Sequence, residues 1–452
     1  MAFNSNTQGI PNTVRPKVSD SPYFNRALLV VALLLCVSGS LLLYRAFTSN
    51  PYPYWLNTVD FGAYIRGTRD IFQGHDPYIP TPCPCNEFYG TTEIHDQVAY
   101  PPFLFELLAP LVLIGDNVAR IAWLAISLAA IIATVAIVAN ILGYRLRLHY
   151  LLLILGITLV SKLGRSDLYH GQVNYFIMFI IALGLWLRAN NKLTAAGVVL
   201  AGAIAIKPFL GILALYFLWK KDYKTAFVCL LTTAALIGLS FVPLVMSNGL
   251  TVIQSWRAAS AYFASGDMTA RPDNVSLNGL ALRLFSDNLF TVPWANSVLF
   301  RIALEAVLLV VALIAFLRAV PRETTWGAPA EVGPRLFAEV SLMLGLTMAL
   351  GPLTEGSHFL TLVAPAAVAL AMGLRAQAHT SLWRWASIGW ALFFVLLASP
   401  ISLSVGLPSA ATWIKPSGAQ ILLTGTIGMF LFGITLLCAA ALGHERHLHM
   451  LA

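Results

Sequence analysis

The sequence predicts an all-α polytopic membrane protein on three observations. Hydrophobic residues make up 58% of the 452 and charged residues 11%, with a mean hydropathy of +0.75, far from the mix of a soluble domain. Apolar runs long enough to cross a bilayer recur from one end of the chain to the other. Lys and Arg gather in the short turns between those runs, where they set topology. The formal charge of +8 and the pI near 9.3 therefore do not point to nucleic acid, and no nucleic-acid partner is expected.

Arg15, Lys17 and Arg26 precede an apolar run from Ala27 to Leu43. That run is too long for a signal-peptide core, and no small-x-small cleavage pattern follows it. Residues 1–26 are expected to form a cytoplasmic tail, 27–442 a membrane-embedded domain, and 443–452 a second cytoplasmic tail. The chain then enters an outer loop over about 48–100, and Pro101 to Gly115 is apolar but short, either re-entrant or a thin crossing. A longer run from Val118 to Leu142 returns to the basic turn Arg145-Leu146-Arg147. His149 to Val160 leads out to a loop at 164–174, and Tyr175 to Leu187 leads back to Arg188 and Lys192.

Between Lys192 and the basic Lys220-Lys221 lies an apolar stretch broken at Lys207-Pro208. Proline lacks an amide donor, so two half-helices with Lys207 near their apex are expected, a break tolerated where it lines a cavity. Thr225 to Val245 leads to an outer loop at 246–296 bearing Trp256, Arg257, Arg271, Asn274, Asn278 and Arg283. Val298 to Leu317 returns to Arg318, Arg322 and Arg335, and Phe337 to Leu350 exits at an outer loop, 351–358. Spans near Phe359 to Leu374, Trp385 to Ala398 and Ile421 to Leu442 complete the route, the last two joined by an outer loop at 399–419. About ten to twelve transmembrane helices are expected, counting partial segments.

Charge counting thereby places Asp60, the segment 167–174, Asn274 to Asn278, Glu355 and His358 on the outer side, with Lys207 approaching it from within the bilayer. Cys36, Cys229 and Cys438 lie in apolar spans and read as small core hydrophobes. Cys83-Pro84-Cys85 in the first loop is too tightly spaced for an ordinary disulfide and too sparse for a metal.

Asp60 opens an amphipathic stretch in which Phe61, Tyr64, Ile65, Ile71 and Phe72 are apolar and Arg66, Arg69 and Asp70 polar. It reads equally as the cap of an interfacial helix and as a carboxylate at a polar–apolar boundary, suited to take a proton from an alcohol. Asn57 and Tyr64 flank it as candidate substrate contacts. Gly74-His75-Asp76-Pro77-Tyr78 is foremost a turn, and Tyr100-Pro101-Pro102 sets the entry to the next apolar segment. His170, Gln172 and Asn174 at the mouth of a span fit either capping or contacts to sugar hydroxyls. Lys207 is an intramembrane cation; snorkelling is the plain explanation, and binding a lipid phosphate the functional one. Glu355 and His358 are one helical turn apart, too few for a metal site, and no Asp-x-Asp occurs in either long outer loop. No metal is expected.

Asp60 with Gly74-x-Asp76-Pro77-Tyr78, Tyr100-Pro101-Pro102, Gly171-Gln172-x-Asn174, Gly202-x-x-Ala205-x-Lys207-Pro208, and late Pro352 with His358 together resemble glycosyltransferase family 87, over about residues 55 to 375. The resemblance implies a C-type membrane glycosyltransferase fold and inverting transfer of a hexose, foremost mannose, from a polyprenyl-phosphate sugar to a glycolipid or envelope-glycan acceptor at the outer, periplasmic face. No cofactor is implied beyond the lipid-linked donor. By that analogy Asp60 is the general base, and Lys207, His170 and His358 face the donor phosphate. Asn57, Tyr64, Asp76, Tyr100, Gln172, Asn174, Asn278 and Glu355 are then the substrate contacts. The late segment departs from the family pattern, which follows the Pro with Trp and paired His. A flippase or transporter of an amphipathic lipid, with Lys207 in its path, is the alternative from another class.

Overall fold

The computed structural model describes residues 22–48, 59–79, 81–82, 95–96, 98–271, 273–322, 329–376, 381–398, 417 and 419–451. Asn57, Cys83, Cys85 and nearly all of 399–419 lie outside the described residues. Among the described residues the regular structure is helical apart from one antiparallel pairing of two-residue strands, Thr81–Pro82 with His95–Asp96, inside the first long connection, and two isolated bridges, Asn274 with Glu355 and Val292 with Ser417.

Among the described residues six helices are long and apolar enough to cross a membrane, or seven if one bent pair counts as a single span. Six shorter apolar helices accompany them, Pro102–Val112 and Leu148–Val160 among them. Of the ten to twelve expected, length and apolarity mark six or seven, and the remaining expected crossings fall on these shorter helices. The apolar helix Val298–Ala319 is little buried, with Leu299, Val307, Leu309, Val310 and Leu313 exposed, the kind of surface that lipid covers.

Helices come together where small residues let backbones approach. A Cβ on Gly39 of Pro22–Thr48 would lie 2.4 Å from Leu159 Cβ, and one on Gly156 of Leu148–Val160 would lie 2.7 Å from Leu35 Cβ. At the centre, Asn174–Ala189 and Leu193–Ile206 are buried along most of their length, so their polar termini open into protein instead of lipid.

Two connections expected as loops are helical. Residues 164–174 begin within the helix Lys162–His170, whose Ser161 cap accepts the Gly164 amide at 2.9 Å. It ends at Gly171, which supplies the left-handed φ of +68°. The next helix, Asn174–Ala189, leaves at 104° to it. Residues 246–296 carry Thr251–Phe263, Gly266–Ala270 and Leu277–Phe285, the last two capped by Ser265 and Ser276. These short helices lack the long apolar stripe that marks a helix in sequence, and Ser caps start the two shortest of them.

The break at Lys207-Pro208 is where the sequence puts it. Leu193–Ile206 closes with the Lys207 amide on Ala203 O at 2.9 Å, and a 3₁₀ turn, Pro208–Gly211, leads into Ile212–Trp219. Pro208 has no amide to continue the ladder, so the backbone turns and Lys207 is left at the bend.

Candidate active site

Five pieces of backbone meet at that bend. Asp60 stands in the first turn of the helix Val59–Phe72. Phe61 of the same turn stacks on Trp123, ring centroids 5.9 Å apart, and Trp123 Nε1 donates to Gly171 O at 2.8 Å. The Asp60 turn is thus locked against the Gly171 turn, and Gln172 Nε2 donates to Asp60 Oδ2 at 3.1 Å.

Asn174 extends the chain inward. Its Nδ2 donates to Gln172 Oε1 at 2.5 Å and to Asp167 Oδ1 at 2.7 Å, and its Oδ1 accepts from Lys207 Nζ at 2.7 Å. Asn174, Asp167 and Lys207 are 0%, 1% and 6% exposed, so this is a buried polar run ending at the partly exposed Asp60. Lys207 Nζ also lies over the Tyr100 ring, 5.9 Å from its centroid. Tyr64 donates its hydroxyl to that of Tyr100 at 3.1 Å. Burial, with the Asp60 and Glu355 carboxylates nearby, pushes the Tyr100 phenol well above its ordinary value, so it stays neutral and able to donate.

The fifth piece is 351–358. Asn274 pins it: Asn274 Nδ2 donates to Pro352 O and Thr269 O at 2.7 Å each, and Asn274 Oδ1 accepts the amides of Thr354 at 2.9 Å and Ser276 at 3.1 Å. Glu355 is pushed up to about 7 by burial, with Asp273 adding to the shift and Arg271 opposing it; the charges of Asp60 and Lys207 reach it too. His358 Nδ1 accepts the Glu355 amide at 3.3 Å while the Glu355 side chain accepts an amide one turn on. An imidazole that accepts at Nδ1 carries its proton on Nε2. Lys207 is within electrostatic reach of His358, whose ring lies 6.3 Å from that of Phe209.

Asp60, Tyr64, Tyr100, Gln172, Asn174, Lys207, Glu355 and His358 are therefore drawn into one neighbourhood from five stretches of sequence. Asp76 and His170 have local partners. Asp76 Oδ1 accepts the Tyr78 amide at 2.9 Å, an Asx turn that lets the Tyr78 hydroxyl donate to Tyr100 O at 3.0 Å. Its position shapes the loop, as the turn chemistry indicated. His170 Nδ1 shares a hydrogen bond of 3.1 Å with Ser166 Oγ one turn back on its own helix. Asn278 is half-buried on Leu277–Phe285, while its neighbour Asn274 makes the ties to 352–354. Sequence reasoning passed over Asp167, Arg271 and Asp273 as site residues. A buried acid in an apolar surrounding was the available signal for Asp167. Among the described residues no group of three or more His, Cys, Asp or Glu side chains is arranged to hold a metal ion.

Residues 99–344 match glycosyltransferase family 87. The matched range contains Tyr100, Asp167, Gln172, Asn174 and Lys207, and leaves Asp60, Glu355 and His358 outside it. The chain is 26% identical over 176 residues to an alpha-(1->3)-arabinofuranosyltransferase of Corynebacterium glutamicum, which covers 39% of this chain and 40% of that relative. The apo oligosaccharyltransferase of Archaeoglobus fulgidus superposes with a TM-score of 0.36 at 14% identity, over 94% of this chain and 56% of that one. Because the family match takes in more than half of its length, as well as the buried polar run from Gln172 to Lys207, this chain belongs to glycosyltransferase family 87.

Proposed function

We propose that this membrane glycosyltransferase moves a hexose, with mannose the first candidate, from a polyprenyl-phosphate sugar to a hydroxyl of a glycolipid or envelope-glycan acceptor, with inversion, at the outer face of the cell membrane. The observation that carries the reading is the hydrogen-bonded run holding a partly exposed carboxylate, Asp60, at one end and a buried ammonium, Lys207, at the other. Asp60 takes the acceptor hydroxyl proton as that oxygen bonds to the anomeric carbon. The bond from the anomeric carbon to the phosphate oxygen breaks on the opposite side, and the electron pair leaves with the lipid phosphate. Lys207, with the Nε2–H of His358, faces that growing charge. Nothing beyond the donor is needed for the atoms to balance, so no cofactor enters the proposal.

Purified protein and its Asp60→Asn form are given synthetic polyprenyl-phosphate sugars and extracted membrane lipids. The panel holds mannose and, given the name of the corynebacterial relative, arabinofuranose. Label passing to a lipid or glycan with wild type, and falling by about 10²–10⁴-fold with Asp60→Asn, is the expected result. Wild type that transfers no sugar from any donor, yet moves the donor lipid between leaflets of a vesicle, would replace this reading with the flippase one.

A further inference from the structure

The hydrogen bonds between Lys207 and Asp60 have a direction, and the groups at the ends fix it. An ammonium can only donate, and the Asp60 carboxylate and the Asp167 oxygen facing Asn174 accept. Asn174 must then turn its oxygen to Lys207 and its amide hydrogens to Asp167 and Gln172. Gln172, having accepted from Asn174, must turn its own hydrogens to Asp60. The distances of 2.7, 2.7, 2.5 and 3.1 Å follow this order without a conflict. The Lys207 ammonium already requires the Asn174 oxygen, and Asp167 adds the second constraint by accepting an amide hydrogen on the other side. A reversed amide would set a hydrogen against the Lys207 ammonium and an oxygen against Gln172.

We infer that Asp167 is a positioning residue for the transfer reaction: buried on the far side of Asn174, it sets the orientation of both amides, and through them holds Lys207 for the donor phosphate and Asp60 for the acceptor hydroxyl. The inference rests on the proposed reaction. Asp167 is 1% exposed and its helix is held by the Ser161 cap, so it acts through Asn174. Its second oxygen, Oδ2, is buried with no hydrogen-bond partner among the described residues, which is unusual for a carboxylate whose purpose is only structural.

The test compares wild type, Asp167→Asn, Asp167→Glu, and the exchange Asp167→Asn/Asn174→Asp in the polyprenyl-phosphate-sugar assay, with melting followed in detergent. The exchange keeps the net charge and gives Lys207 a carboxylate to bond. It also forces Gln172 to donate toward position 174, which turns the Gln172 oxygen at Asp60. Asp167→Asn is expected to lower kcat by about 10²-fold through misplaced reacting groups. Asp167→Glu is expected to recover part of that loss. The exchange should restore the melting temperature while kcat stays low, a split that a merely structural role does not produce.

Asp167→Asn matching wild type in kcat and KM overturns the inference alone, and so does an exchange that restores kcat. If Asp167→Asn does not fold, the exchange decides by itself. Wild type inactive with every donor overturns the proposed reaction, and this inference falls with it.

Discussion

The segment from Pro208 to Trp219 has a buried lysine at each end, and the two are treated differently. Lys220, 1% exposed, lies 3.2 Å from a Glu339 carboxylate oxygen and donates to Pro321 O at 3.0 Å. Glu339 in turn accepts from Tyr216 at 2.7 Å and from Arg335 at 3.1 Å, and Arg188 with Asp222 forms a second ion pair in the same part of the bundle. Lys207, 6% exposed, has among the described residues no carboxylate within ion-pair distance; its contacts are the neutral Asn174 amide and the Tyr100 ring face. Asp167, Glu355 and Asp60 act on it from further away. A buried charge with a saturated partner holds helices together, whereas one held by neutral groups keeps its attraction for an incoming anion.

Breaking the saturated end has the largest effect on stability. Glu339→Gln leaves Lys220 and Arg335 without their anion, and removing one partner of a buried pair costs about 3–5 kcal/mol. Melting in detergent should fall by many degrees, with transfer per folded molecule retained. At the other end the sign changes. Lys207→Gln removes a buried cation that no adjacent carboxylate compensates, while keeping an amide donor for Asn174, so the melting temperature does not fall. Transfer falls by about 10²-fold, the worth of one charge-assisted contact to the proposed donor phosphate. A Lys207→Gln form that melts early and transfers normally would make the two lysines alike.

How far each end was readable follows from where its partners lie. Lys207 stood out because a cation beside proline deep in an apolar run has few explanations, and the helix does break there. Glu339 lies inside an apolar span and its partner Lys220 is 119 positions away, so nothing local announced the pair. Asp167 read as part of a polar connection, because Lys162, Arg165, Ser166 and Asp167 leave no apolar stripe; the Ser161 cap and the Gly171 turn make that stretch helical. Asn274 binds Pro352 and Thr354, 78 and 80 residues on, and such ties belong to the fold and to no local pattern. The turn at Asp76 was legible because an Asx turn is made by its own neighbours.

A smaller effect sharpens how the Asp60 end is set. Gly171 has a φ of +68°, and a Cβ there would stand 2.6 Å from Phe61 Cβ, in the turn that carries Asp60. Gly171→Ala should cost about 1–3 kcal/mol in backbone strain. It also pushes Phe61, and Asp60 with it, away from Gln172. Transfer should therefore fall more steeply than stability; equal losses in a melting curve and in kcat would separate the Gly171 turn from the site.

The smallest effect lies in pH, at Glu355, which combines features of both ends: it has a cation nearby, Arg271 at 3.9 Å, yet burial wins and holds the carboxyl up to about 7 against an ordinary 4.5. Between those two values the folded protein keeps a proton that the unfolded chain has released. Stability from this group therefore falls as pH rises through that window and is level above it. Glu355→Gln cannot titrate, so its melting temperature relative to wild type should climb from about pH 4.5 to pH 7 and then stop climbing. If the difference instead stays level over that range and changes only below about pH 4.5, the Arg271 pair outweighs burial. Glu355 would then belong with Glu339 as a saturated structural acid, and the distinction between the two ends would stop at Lys207.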